Sequence, residues 1–372
     1  MRETHEIRCE SEVEATREKD QRCWYDLDEI ELQELCTQFA APKYRAKQLR
    51  EALLRGENDP LEILQLPKLF REQLVASYPD FRPIRVRRRL ESKEDGTVKY
   101  LFELFDGSFV EAALMHYRYG ASLCISTQVG CRMGCTFCAS AKLGFERNLS
   151  AGEMLEQMLL VAKREGIRIH NVVLMGIGEP LDNLANILRF VSLAGDEKGP
   201  HLGQRHISVS TCGLVDRIRE LVAYRPQFTL SISLHAPTQE QRKIIMPIAK
   251  AYPLDELLDA CRFYLNAGGK RISFEYIMLR DFNDRDEDAR ALSKLLKGLL
   301  CHVNLIPANE VPGSPYRPST PAQLRRFQTI LEEAHIPVTL RRSLGQDIEA
   351  ACGQLRRSEK GQLEAAEAKE SC

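Results

Sequence analysis

Residues 121 to 341 repeat one alternation, a short apolar or β-branched run followed by a segment with helical spacing. Strands are predicted at Ala121–Thr127, His170–Met175, His206–Ser210, Phe228–Ser233, Arg271–Leu279, Cys301–Ile306 and Pro337–Arg341. Helical segments with clear starts lie between most of them: Ser150 and Glu153 form a capping box, and Thr320 precedes Pro321 at a first helical position. Serial βα units bury their apolar faces by laying parallel strands under helices. The expected class is therefore α/β, with a parallel sheet closed or partly closed into a barrel. In such sheets ligand-binding groups collect beyond the carboxyl ends of the strands.

Those strand ends depart from simple connections. The first carries Cys131, Cys135 and Cys138 in a C-x3-C-x2-C spacing, on a loop that follows the run Leu123–Thr127 and is expected to lead into a helix. Thiolates are soft ligands suited to iron–sulfur clusters or zinc. Three on one loop can hold three irons of a [4Fe-4S] cubane and leave the fourth open to the amino and carboxylate groups of S-adenosylmethionine (SAM). A structural zinc short of its fourth ligand, or three unrelated core thiols, are the alternative readings. The next ends read Gly176-Ile177-Gly178-Glu179-Pro180, Ser210-Thr211-Cys212-Gly213, Ser233-Leu234-His235 and Pro307-Ala308-Asn309. Gly176 and Gly178 would let backbone carbonyls approach a ligand's amino group, from which Glu179 could also accept. Ser210, Ser233 and Asn309 suit a ribose, a carboxylate and an adenine edge. His235 reads equally as a ligand contact or as a histidine buried with its own partner.

Ahead of the alternation the chain changes character. Residues 1–22 are almost all charged or polar and read as a disordered tail, whereas residues 23–82 carry three amphipathic helical patterns and read as a small accessory domain. Residues 83–118 alternate apolar and polar around Asp-Gly turns at 95–96 and 106–107, a β-hairpin linker presenting Arg85, Arg87, Arg88, Arg89, Lys93 and Lys99 as a basic ribbon. The net charge of −1 gives no general pull towards nucleic acid, so an RNA must be met by such a local surface. Twelve cysteines, with no signal peptide and no run approaching ~20 apolar residues, point to a cytoplasmic protein without a membrane span.

The wording of the motifs is specific. CRMGCTFC followed by GIGEP resembles the radical SAM superfamily. The wider set, with SISLHAP, VNLIPANEVPG and RRSLGQDIEAACGQL, resembles the adenine-C2 RNA methyltransferase family known as RlmN, over about Leu27 to Leu355. The resemblance implies a partial (β/α)6-type radical SAM barrel over 119–345, an RNA-gripping accessory domain before it, and a catalytic-cysteine loop with a disordered tail over 346–372. It implies that Cys131, Cys135 and Cys138 hold one [4Fe-4S] cluster with an open iron site. Gly178, Glu179, Ser210, Ser233, Leu234, His235 and Asn309 would line the SAM pocket. Cys352 would become S-methylated, Cys124 would be its disulfide partner and Glu111 the proton acceptor. Ala308 departs from the family's I-P-W-N run.

Implied partners are 23S rRNA, tRNA and an electron donor such as flavodoxin, with the chain acting as a monomer. Carbon 2 of adenine is electron-poor, so polar attack on SAM is closed. The implied route uses two SAM per turnover: one methylates Cys352, and the other yields the radical that activates this S-methyl group. The methyl carbon then tethers the RNA until Cys124 attacks the Cys352 sulfur. From its residues alone Cys124 reads as a buried strand cysteine, and Cys212, Cys261 and Cys301 as buried thiols. Two other functions stay open: carbon 8 methylation of the same rRNA adenine by a related resistance enzyme, and a non-catalytic, zinc-containing RNA-binding module.

Overall fold

The structure is a computed structural model that describes residues 23–57, 59–78, 84–309, 315–342 and 344–348. The expected tail over 1–22 and the loop with Cys352 lie outside the described residues. Three helices come first, α1 (Glu29–Gln38), α2 (Tyr44–Leu54) and α3 (Lys68–Ser77). The first is opened by Asp28, whose carboxylate accepts from the Glu31 N–H while Glu31 accepts from the Asp28 N–H.

The strands β1 (Arg85–Glu91), β2 (Val98–Glu103), β3 (Phe109–Tyr117) and β4 (Gly120–Cys124) follow, then a small hairpin of β5 (Gln128–Gly130) and β6 (Phe145–Asn148). The βα alternation then runs α4 (Ala151–Glu165), β7 (Ile169–Leu174), α5 (Leu184–Ala194), β8 (Ile207–Thr211), α6 (Val215–Leu221) and β9 (Thr229–Ser233). It continues through α7 (Gln239–Ile245), α8 (Leu254–Asn266), β10 (Ile272–Met278), α9 (Asp286–Leu296), β11 (Cys301–Pro307), α10 (Pro321–Glu333) and β12 (Val338–Leu340).

Ten strands form one sheet in the order β1-β2-β3-β4-β7-β8-β9-β10-β11-β12. Pairing is antiparallel from β1 to β4 and parallel from β4 to β12. The parallel part is the expected α/β half-barrel. The strands expected as a linker are hydrogen-bonded into the same sheet, because the Asp-Gly turns fold β1 to β3 back on one another until β3 pairs with β4.

The sheet is strongly curled. Laid flat, ten strands would hold their edges about 43 Å apart at ~4.8 Å per strand. Yet the Gly345 N–H, five residues past β12, donates to Asp95 in the β1–β2 turn at 2.8 Å, and five residues reach at most about 17 Å. The Lys93 N–H donates in turn to Asp347. The N-terminal helices pack on the outside of this curl. The Asp26 carboxylate accepts from the Gly152 N–H in the first turn of α4 at 2.8 Å, and Cys23 to Leu74 share one apolar core with the barrel.

Candidate active site

The strand expected up to Thr127 stops at Cys124, because the chain beyond it leaves β3 and is held by the GIGEP turn. Thr127 and Gln128 both donate to the Ile177 carbonyl, and Gly176 donates to that of Ile125. The cysteine loop therefore springs from the β5–β6 hairpin, and α4 begins only after β6. Its neck is tight. Gly130 has a φ of 76°, a Cβ there would stand 1.8 Å from the Gly144 carbonyl oxygen, and the Cys131 N–H donates to that oxygen at 2.8 Å.

The loop is docked on the segment around α7. The Thr136 N–H donates to the Ile245 carbonyl at 3.0 Å, and Phe137 meets the His235 ring edge-on at 5.0 Å. Arg132 lies over Phe145 at 3.9 Å and pairs with Asp182 at 3.0 Å. Cys131, Cys135 and Cys138 are half-buried and in no disulfide. Burial pushes Cys131 up to about 11 and Cys135 up to about 12, and the neighbouring thiols push in the same direction. Three thiols on one loop suit a cationic cluster, whose binding would release their protons. Among the described residues no group of three or more His, Cys, Asp or Glu is arranged around a single metal ion.

Behind the loop lie the strand ends. Gly178 has a φ of 117°, and a Cβ there would stand 2.7 Å from Thr127 Oγ1 and Gln128 Cβ, while one on Gly176 would stand 2.6 Å from the Ile125 carbonyl oxygen. Glycine is required at both positions by close packing of the chain on itself, where the sequence suggested approach of a ligand. Glu179 is buried and held at both oxygens: Oε1 accepts from the Leu181 N–H at 3.1 Å and Oε2 from the Cys212 N–H at 2.7 Å. Burial raises its pKa, opposed by those bonds. The Gln128 side chain accepts from the Glu179 N–H at 2.8 Å.

Ser210 donates to the Leu174 carbonyl at 2.7 Å and so ties β8 to β7. Leu234 is buried and Asn309 is exposed two residues past the end of β11. His235 sits at a φ of 59° with Nδ1 accepting from the Ile277 N–H at 3.0 Å. Burial, helped by the Arg242 guanidinium, holds it down to about 3, so the ring is neutral with its proton on Nε2. Of the two readings of His235, the structure supplies the partner that the second required. Arg242 itself is fully buried on α7 and donates to the carbonyls of Cys212 at 2.6 Å, Leu234 at 3.2 Å and Ser233 at 3.4 Å. One cation thus ties the ends of β8 and β9 under the cysteine loop. No motif pointed to Arg242; its only sequence signal is the three-residue spacing from the buried Ile245 on the same helical face.

The remaining residues meet at the barrel mouth. Cys124 on β4 stands opposite Ala113 of β3, and Glu111 lies on the same inner face of β3. With Lys99, Gly176 and Ile177 they line one small cavity. Burial pushes the Cys124 thiol up to about 11, opposed by Arg341 and Lys99. Lys99, expected on an exposed ribbon, is buried here because β2 turns that face inward. The ribbon is also less free than its charge suggests: Arg87 pairs with Glu103, and Arg89 with Glu91 and Glu165. Cys212, Cys261 and Cys301 are buried thiols, as expected.

A curled parallel sheet with three thiols on the loop beyond its first parallel strand, set over a glycine-rich turn, defines a radical SAM protein. Residues 125–292 match the profile of the Radical SAM superfamily. Similar proteins named "Probable dual-specificity RNA methyltransferase RlmN" occur in Alkaliphilus oremlandii, 47% identical over 88% of this chain and 95% of that protein, and in Clostridium botulinum strain Eklund 17B, 49% identical over 85% and 90%. A radical SAM methyltransferase from Sphaerobacter thermophilus superposes with a TM-score of 0.85 at 40% identity, covering 89% of this chain and 98% of that one. The chain belongs to the RlmN family of radical SAM RNA methyltransferases.

Proposed function

We propose that this protein methylates carbon 2 of adenine 2503 in 23S rRNA and of adenine 37 in tRNA. The observation that carries the reading is the small cavity that Cys124 and Glu111 share with Gly176 and Ile177, where a thiol and a carboxylate stand together against the glycine-rich turn. Cys131, Cys135 and Cys138 would hold a [4Fe-4S] cluster, and Gly178, Glu179, Ser210, Ser233, Leu234, His235 and Asn309 would line the SAM site. Bound there, the cluster would supply the single electron needed to cleave SAM.

The chain's own residues do the rest. Cys352, outside the described residues, carries the methyl group and then the RNA as a covalent adduct. Once the adduct radical has given one electron to a one-electron acceptor, a role the cluster would fill, Glu111 takes the proton from carbon 2. Cys124 attacks the Cys352 sulfur, the carbon–sulfur bond breaks with its electron pair going to the methylene carbon, and that carbon gains a proton to become the methyl group. The disulfide left behind needs an external dithiol or a two-electron donor to reset. The reading also takes a flavodoxin-like electron donor, two SAM per turnover, a monomer as the working unit and the cytoplasm as its place. Among the described residues no helix is long and apolar enough to cross a membrane.

The test is Cys352→Ala beside Cys124→Ala in protein reconstituted with iron and sulfide. The first is expected to make 5′-deoxyadenosine without methylating RNA, and the second to trap a protein–RNA adduct. Mass spectrometry of digested rRNA then separates 2-methyladenine from 8-methyladenine. Absence of the trapped adduct removes the tethered route.

A further inference from the structure

Lys99 lies within a strand where Val98, Tyr100, Leu101 and Phe102 are buried and largely apolar and only the last residue, Glu103, is half-buried. Its side chain is 2% exposed and its Nζ stands 3.4 Å from Oε2 of Glu111, itself 5% exposed. The register of β2 and β3 enforces this meeting: Lys99 is opposite Ala113 and Glu111 opposite Leu101, so the two long side chains cross diagonally on the inner face. Burying an ammonium and a carboxylate costs several kcal/mol per ion before their attraction is counted, and an apolar pair of the same volume is often as stable. A charged pair in such a place, lining a cavity with Cys124, is better explained by a charge the site must keep than by stability.

We propose that Lys99 is the positioning residue that keeps the Glu111 carboxylate ionised and aimed at carbon 2 of the bound adenine, an inference that rests on the proposed methylation. After the RNA adduct radical on Cys352 has given one electron to a one-electron acceptor, the carbon 2–hydrogen bond breaks, its electron pair restores the aromatic ring and the proton passes to Glu111. Facing Glu111 are Lys99 from β2 and Cys124 from β4, and the Arg341 guanidinium just past β12 acts on the Cys124 thiol through its charge. Without Lys99, the carboxylate is left buried without its ammonium and takes up a proton from water. It can then no longer receive one from the substrate.

The experiment uses the full chain, reconstituted with iron and sulfide, with RNA, SAM and reductant, and measures methylated RNA per 5′-deoxyadenosine from pH 6.5 to 9. For Lys99→Met, SAM cleavage is expected to continue while this coupling ratio falls by about tenfold or more at pH 7, and then recovers by up to about tenfold per pH unit as Glu111 ionises unaided. Lys99→Arg keeps the charge and is expected to restore coupling at pH 7, where Lys99→Gln does not. Should Lys99→Met fail to hold its cluster, the Arg and Gln pair decides: equal coupling in the two overturns the role of the charge, as does wild-type coupling in Lys99→Met. Cys124→Ala run in parallel keeps the two ideas apart. If it traps no adduct, the methylation route itself is at fault; if it traps one and Lys99→Met couples normally, only the assignment of Lys99 falls.

Discussion

Glu179, just past the end of β7, accepts the N–H of Cys212, just past the end of β8, at 2.7 Å. A buried carboxylate thus fixes the spacing of two neighbouring strand ends directly behind the cysteine loop. Glu179→Gln exposes the Cys212 and Leu181 N–H groups to an amide that can turn a donor towards them. Charge-assisted bonds of this kind are worth about 1.5–3 kcal/mol. Glu179→Gln is expected to lose about that much stability by denaturant melt and to weaken SAM binding measured by calorimetry.

Arg242 spans three carbonyls on two strands. Arg242→Met leaves those carbonyls buried without a donor, at about 1–3 kcal/mol each before relaxation, so an overall loss of ~3 kcal/mol is expected. Arg242→Lys should not recover it, because an ammonium lacks the planar fork that reaches both strands. Chemical denaturation of the three proteins, with iron content as a second readout, checks this.

Gly178 and Gly107 offer a paired test of the backbone. Gly178 combines a φ of 117° with Gln128 Cβ at 2.7 Å from the place of a Cβ, whereas Gly107 has a φ of 78° and nothing within 4 Å. Alanine at 107 brings only conformational strain, about 1 kcal/mol, and alanine at 178 adds a clash that must move the Thr127–Gln128 backbone. Melting of the two variants should differ by ~2 kcal/mol. Equal losses would show that the GIGEP turn has room to relax.

His235 makes a prediction in pH. Its value in the fold is about 3, against 6.5 for a free imidazole, so between those values the unfolded chain binds the extra proton. Its contribution to stability is therefore complete above about pH 6.5 and is lost as pH falls towards 3, with a size on the order of a few kcal/mol. His235→Asn should be less stable at pH 7 yet show a shallower loss of stability from pH 6 to pH 4 than the wild type. Parallel acid-melt curves would count against the neutral, buried ring.

Much of the architecture was legible. Six βα repeats and their caps announced the half-barrel, since periodicity and capping are local properties; Ser150 accepts from Glu153 as the sequence suggested. The cysteine loop, Glu179 and His235 lie just beyond strand ends, a placement the βα alternation carries by itself. Arg242 and Lys99 were not legible. A helix face and a strand face each look the same in sequence whether they turn to water or to a crowded interior.

What residue order alone determined here is the alternation, the turn chemistry and the clustering of thiols in one short stretch, all of which depend on neighbours a few positions apart. Which side of β2 points inward, that the GIGEP glycines are needed by Ile125 and Gln128, and that one guanidinium ties β8 to β9 were decided only when the sheet curled. Those contacts join residues from distant parts of the chain, and their energies depend on burial, which no local pattern carries.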